Sequence, residues 1–185
     1  QEALSEEVRI RINRQAAPLL EQAIGHQEQE IKVEMRQAAQ ELKEASQKAE
    51  QARKEFDRDE TSRALDELDE SREKLRSAEE RLEGLAAAMN GTVFDQAAKE
   101  ITKVAEGPVT EARERTETAP LMDDAKERSV TLAEVEGEVE AALNQMDSIL
   151  AELSQSEERV ERVAELAEMA NEQQRLAEEA EKQWR

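Results

Sequence analysis

An apolar seam recurs every three or four residues from Leu132 to the end of the chain, through Val135, Val139, Ala142, Met146, Ile149, Leu153, Ser156, Val160, Val163, Ala167, Ala170, Gln174, Ala177, Glu181 and Trp184. The mean step is close to the 3.5-residue repeat that holds an apolar line on one side of a helix and asks for a partner helix along its length. A second seam runs through Ile31, Met35, Ala38, Leu42, Ala45, Ala49, Ala52 and Phe56. It resumes one residue out of phase as Thr61, Ala64, Leu68, Ser71, Leu75, Ala78, Leu82, Leu85 and Met89. The slip falls across Asp57, Arg58, Asp59 and Glu60, where no Gly or Pro stands. A single extra residue is absorbed by local unwinding of a supercoil, so the spacing predicts one bent helix over 27–89.

The remaining elements follow from the same reading. Leu4, Val8, Ile12, Ala16, Leu19, Leu20 and Ala23 share a helical face over 3–24, interrupted by Pro18, and Gly25 with His26 offers a hinge. The alternation from Val8 to Ile12 also fits a strand, but no partner strand exists, which favours helix. Asn90 and Gly91 close the long helix, with Gly supplying the left-handed residue. Thr92 and Asp95 then form a capping-box-like start to a short helix whose face is Val93 or Phe94, Ala97, Ile101 and Val104. Gly107 and Pro108 break it, and Val109 to Thr118 reads as a weak helix or a loop, completing a tip segment over 92–118. Ala119 and Pro120 open a last helix over 121–185, with Asp123 and Asp124 in its first turns facing the positive end of the helix dipole.

The two long helices match in length at roughly 90 to 100 Å each. Folding them back on one another places Phe56 beside Ser156, Ala45 beside Leu166, and Ala78 beside Leu132, so large residues meet small ones. A parallel dimer would set each Ala layer against itself and leave voids. The expected fold is all-α: one elongated domain over 1–185, an antiparallel helical hairpin or coiled coil. Secondary stripes at Val130, Leu143 and Leu150, and at Leu166, Met169, Gln173, Leu176 and Ala180, ask for a second neighbour near each end. The 3–24 helix and the tip segment would supply it, giving three-helix ends and a two-helix waist around Phe56 and Leu153. Labels near Gly25 and Asn90 would then stand roughly 80 Å apart or more.

Composition sharpens this picture. Charged residues make up 39% and aromatics 2%, the signature of long helices rather than of a globule packed on large side chains. A formal net charge of −20 repels nucleic-acid phosphates and anionic lipid surfaces, which removes both as expected partners. The acidity also keeps an extended surface soluble. With no Cys there is no disulfide, thiolate catalysis or Cys-ligated zinc. No run of 18 apolar residues is present. The first residues carry neither Met nor a signal pattern, and the chain stops without a helix terminator, so it reads as a segment of a longer protein.

Candidate chemistry is sparse. His26 with Glu30 is the sole histidine-carboxylate pair, and a di-iron bundle would need Glu where Ala23 stands. The acidic run from Asp57 to Glu70 fails as a calcium loop, with Ser62 and Leu68 where Gly and Glu are required. The dispersed glycines make no phosphate cradle. Asn90, Gly91 and Thr92 match a glycosylation sequon, and Trp184 covers the end of the last seam. No catalytic, cofactor-binding or metal-ligating residue emerges, and no cofactor is expected. The expected function is a non-enzymatic structural or scaffolding rod that meets protein partners, monomeric in preference to homodimeric. The alternative is a sensory or receptor helical domain outside a membrane, holding a small ligand or a basic peptide.

Overall fold

The computed structural model describes the backbone of residues 2–183 and the side chains of residues 23–155. All regular structure among the described residues is helical. The chain divides into two compact units, Gln1–Ile149 and Leu150–Arg185. The second unit is the continuation of the last helix to Gln183. Its seam positions from Ser156 onward, and the stripe from Leu166 to Ala180, lie outside the described side chains, as does Trp184.

Helix α1 spans Glu2–Asp57, 56 residues without interruption. The expected hinge at Gly25 is therefore absent, and the 3–24 segment does not fold back as a separate helix. Pro18 removes one backbone hydrogen bond and costs about 3 kcal/mol in a helix interior, while Gly costs about 1 kcal/mol. Neither outweighs a helix anchored by the seam that begins at Ile31. Residues 8–12 are helical, so the strand alternative falls.

The expected continuous helix over 27–89 is two helices. The chain reverses at Arg58–Glu60 and resumes as α2, Thr61–Met89. Asp59 takes a left-handed φ of 62°. The Glu60 N–H donates to the Glu55 carbonyl at 3.0 Å and the Asp59 N–H to the Phe56 carbonyl at 3.1 Å. These are the two bonds of a Schellman closure, with Asp in the place usually held by Gly. The one-residue phase slip marks a reversal rather than a bend.

The contacts across α1 and α2 make the pair antiparallel. Lys48 meets Glu67 and Glu70, Lys74 meets Glu44, and Arg81 meets Glu34, so numbers rise on one helix as they fall on the other. Their seams face inward as the spacing predicts: Met35, Ala38, Leu42, Ala45, Ala49 and Ala52 on α1, and Ala64, Leu68, Leu75, Ala78 and Leu82 on α2, are all fully buried. At the small layer between them the buried Ser71 hydroxyl donates to the Ala45 carbonyl at 2.8 Å.

After α2, Asn90 caps the helix and Gly91 takes φ 73°, as the sequence predicts. The Thr92 hydroxyl donates to the Met89 carbonyl and accepts from the Phe94 N–H, while the Asp95 carboxylate accepts from the Gly91 N–H at 3.2 Å. Helix α3 spans Asp95–Val104 and buries Phe94, Ala98, Ile101 and Val104, leaving Val93 exposed. Gly107 and Pro108 do not end it in a loop. A wide turn over Ala105–Val109, kinked at Gly107, carries the chain into α4, Thr110–Thr118. The wider turn makes room for the proline ring, which would otherwise strike the carbonyl one turn earlier. Helix α4 has few apolar residues but buries Ala112 and Thr116.

A short turn over Ala119–Leu121 follows, and the last helix, α5, spans Ala125–Gln183, starting later than the expected 121. Asp124 stands just before it, accepting from the Lys126 N–H at 2.7 Å and the Glu127 N–H at 3.0 Å. It is the N-cap rather than a first-turn residue. On α5, Leu132, Val135, Val139, Ala142, Met146 and Ile149 are buried as the seam predicts. Val130 is 51% exposed, so the secondary stripe does not form a buried face there.

Within the first unit α5 runs antiparallel to α1, with Arg53 3.2 Å from Glu136. Phe56 packs against Ala52, Ala64, Leu68, Ala119 and Leu132, beneath the Arg128 guanidinium at 4.6 Å. The pairing of Ala78 with Leu132 is thus replaced, since Leu132 joins the cluster around Phe56, while the expected pairings of Phe56 with Ser156 and of Ala45 with Leu166 lie outside the described side chains. Within the first unit the chain passes up α1, down α2, up α3 and α4, and down α5 as far as Ile149.

Candidate functional site

The helix pairing builds two surface features from side chains that sequence alone leaves on separate elements. The first is an open groove of about 840 Å³ on the outer side of the α1–α2 pair. Its α1 wall is His26, Gln29, Glu30, Val33 and Glu34, and its α2 wall is Ser77, Glu80, Arg81, Gly84, Leu85 and Ala88. Each wall repeats at three and four residues, so both are helix faces beside the buried seams, with the seam residue Leu85, 9% exposed, at the floor. The floor is aliphatic at one end. Val33 is 47% exposed there, close to Leu85 and Ala88. A Cβ placed on Gly84 would meet nothing within 4 Å, so the groove is open above it.

Arg81 fixes the groove's geometry. Its guanidinium donates to Glu34 at 2.6 Å and to both oxygens of Glu41 at 3.1 and 3.3 Å, while the Ser77 hydroxyl donates to Glu41. Hydrogen bonding to Glu41, then to Glu34, holds the guanidinium's pKa above its ordinary value, with burial opposing the shift. Two carboxylates on one helix are thereby tied to one cation on the other. The rim carboxylates Glu30 and Glu80 have looser partners within their own helices, His26 at 3.4 Å and Arg76 at 3.5 Å.

A second, polar groove lies between α2 and α4, lined by carboxylates that include Glu73, Glu79 and Glu83, with Arg72, Arg76 and Arg113 among them. Arg113 bonds Glu79 at 2.8 Å and Glu117 at 2.9 Å. Burial lowers its pKa, and the bonds to Glu117 and Glu79 outweigh that effect, so it stays raised. Thr110 lies within hydrogen-bond distance of both Glu79 and the Ala105 carbonyl, bracing the kinked turn against α2.

The residues singled out from sequence fall in different places. His26 is exposed at the rim of the first groove. Because it shares that groove with Ala88, Gly25 and Asn90 belong to the same end of the helix pair, and the 80 Å label separation does not hold. The acidic run from Asp57 to Glu70 is a turn and a helix start: Glu60 bonds Arg63, Asp69 bonds Arg72 at 3.2 Å, and Glu67 and Glu70 share Lys48. Among the described residues no group of three His, Asp or Glu is arranged to hold a metal ion. Asn90 of the sequon is exposed in the α2–α3 connection, and the Thr92 hydroxyl is engaged with Met89 and Phe94. Nothing in the sequence pattern brings Val33, Arg81 and Gly84 together, and Val33, an apolar residue off the seam, is the signal the pattern offers there. No family model, curated protein or solved structure matches the chain.

Proposed function

We propose that this chain is a non-enzymatic structural or scaffolding segment that offers helix faces to protein partners. One observation carries the reading. Cations near the helix crossings are committed to carboxylates on neighbouring helices: Lys48 to Glu67 and Glu70, Lys74 to Glu44, Arg53 to Glu136, Arg81 to Glu34 and Glu41, Arg115 to Glu134 and Glu138. These groups hold helices side by side, which is what a scaffold needs. The remaining acidity lies on the outer faces and selects basic partners, since a net charge of −20 repels nucleic acid and anionic lipid.

The test is a set of photo-crosslinking side chains placed one at a time on exposed positions of α1 to α5 in the source cells. Discrete protein adducts from a contiguous group of positions are the expected result. Absence of adducts at every position, together with conversion of a metabolite extract by the purified chain, overturns the reading.

A further inference from the structure

We propose that the outer groove between α1 and α2 docks a basic amphipathic helix of a partner protein. The inference rests on the scaffolding reading and gives it one surface and one class of partner. The shape comes first. From Ser77 to Ala88 the α2 wall runs about three helical turns, roughly 18 Å at 1.5 Å per residue. A trough between two antiparallel helices accepts a third helix lying along it, and a short amphipathic helix of matching length reads such a groove through residues at three- and four-residue spacing. Gly84 leaves the middle of the trough open, with nothing within 4 Å of a Cβ there. Val33, 47% exposed, offers the apolar contact together with the exposed Ala88, over the buried Leu85 at the floor.

Charge then chooses the occupant. The rim bears Glu30, Glu34 and Glu80 against the single guanidinium of Arg81, which Glu34 and Glu41 already occupy. Glu30 and Glu80 stand on opposite walls and are 64% and 70% exposed, each held only by a long pair within its own helix. Such pairs are weak and yield readily to a better cation. A helix with Leu or Val on one face and Lys or Arg along both flanks satisfies the floor and both rims together. A second copy of this chain does not fit, because it would set the same carboxylates against themselves on a surface of net charge −20.

The probe is a fluorescently labelled synthetic helix of about four turns, with Leu on one face and Lys on the flanks. Its comparators are a scrambled isomer of identical composition and a counterpart with Glu in place of Lys. Anisotropy titrations are run at near-physiological salt, where diffuse attraction to an acidic surface is screened. The amphipathic probe is expected to bind at least tenfold more tightly than the scrambled isomer, and the Glu counterpart not at all. Val33→Asp and Gly84→Leu should each weaken binding at least tenfold. Glu30→Gln combined with Glu80→Gln should weaken it severalfold. Val93→Asp, on an exposed apolar residue outside the groove, should change nothing. Circular dichroism checks that each variant keeps its helices, and Gly84→Leu, which has open space for its side chain, keeps the test valid if Val33→Asp unfolds. Equal binding of the scrambled isomer, unchanged binding to both Val33→Asp and Gly84→Leu, or no binding of any probe overturns the proposal. Crosslinked protein adducts that map to other helix faces would then leave the scaffolding reading standing, whereas their absence everywhere, together with conversion of a metabolite extract, removes both.

Discussion

The reversal at Arg58–Glu60 decides every contact between α1 and α2, and a single pair of substitutions tests it. Ala45 and Ser71 are both fully buried, and the Ser71 hydroxyl lies 2.8 Å from the Ala45 carbonyl. Replacing them as Ala45→Cys and Ser71→Cys puts two thiols into a chain that has no other cysteine. A disulfide needs Cα atoms within about 7 Å, which facing residues at a close helix crossing satisfy. Were 27–89 one continuous helix, the same two positions would stand about 39 Å apart along its axis and could never bridge within one molecule.

The expected gain follows from the loop that the bond closes. The two residues are 26 positions apart, and a loop of that size removes about 12 cal/mol/K of chain entropy from the unfolded state, about 3.5 kcal/mol at 25 °C. Engineered bridges often deliver less, so 3.5 kcal/mol is a ceiling, and the Ala45→Cys side must fit one sulfur into a tight layer. The assay is oxidation at low protein concentration, intact mass, non-reducing electrophoresis, and urea unfolding with and without reductant. A monomeric species two mass units lighter, unfolding at higher urea when oxidised, is the expected outcome. Disulfide dimers alone, or two free thiols after exhaustive oxidation, would refute the helix reversal.

Three further outcomes are expected. Leu68→Ala removes a fully buried side chain from the cluster with Ala52, Ala119 and Leu132, and should cost about 2 to 5 kcal/mol in urea unfolding. Asp124→Ala deletes the cap of α5 and should cost about 1 kcal/mol by the same assay, with Asp124→Asn retaining most of it. Glu44 is held below its ordinary pKa by hydrogen bonds from Lys74 and then Gln40. A depressed carboxylate adds stability that is full above its unfolded value of 4.5 and is lost as pH falls through the folded value. Thermal melts should therefore separate wild type from Glu44→Gln at pH 7 and converge well below pH 4.5.

What the sequence made legible was the inward face of each helix. Met35 to Ala52, Ala64 to Leu82, and Leu132 to Ile149 are buried at the expected positions, because an aliphatic residue's need to leave water does not depend on which helix covers it. Their partners were not legible. A one-residue phase slip is produced equally by an unwound supercoil and by a Schellman turn, and Asp59 hides the turn by standing where Gly is usual. Pro18 and Gly25 mislead in the opposite sense, since each carries a local cost that a 56-residue helix absorbs. By sequence Asp123 and Asp124 fit first-turn charges, and only the bonds from Lys126 and Glu127 reveal a cap. The groove was out of reach for the same reason as the turn: Val33 and Gly84 lie 51 positions apart and share a surface only once the chain has reversed between them.

That dependence also explains how a strongly acidic chain can pack helices this closely. Neighbouring acidic helices would repel along their length, yet cations bridge them: Lys48 lies between Glu67 and Glu70, and Arg115 between Glu134 and Glu138. The Lys48 ammonium is held above its ordinary pKa by Glu70 and then Glu67. Its charge therefore persists to higher pH than a solvated lysine's, and the stability it adds is lost only as pH rises through that raised value. Other cations, among them Lys54, Arg76, Lys99 and Lys103, pair with carboxylates of their own helices at exposed positions. Packing of acidic helices thus rests on the cations that bridge them, while the cations paired within one helix only soften the charge of the exposed faces.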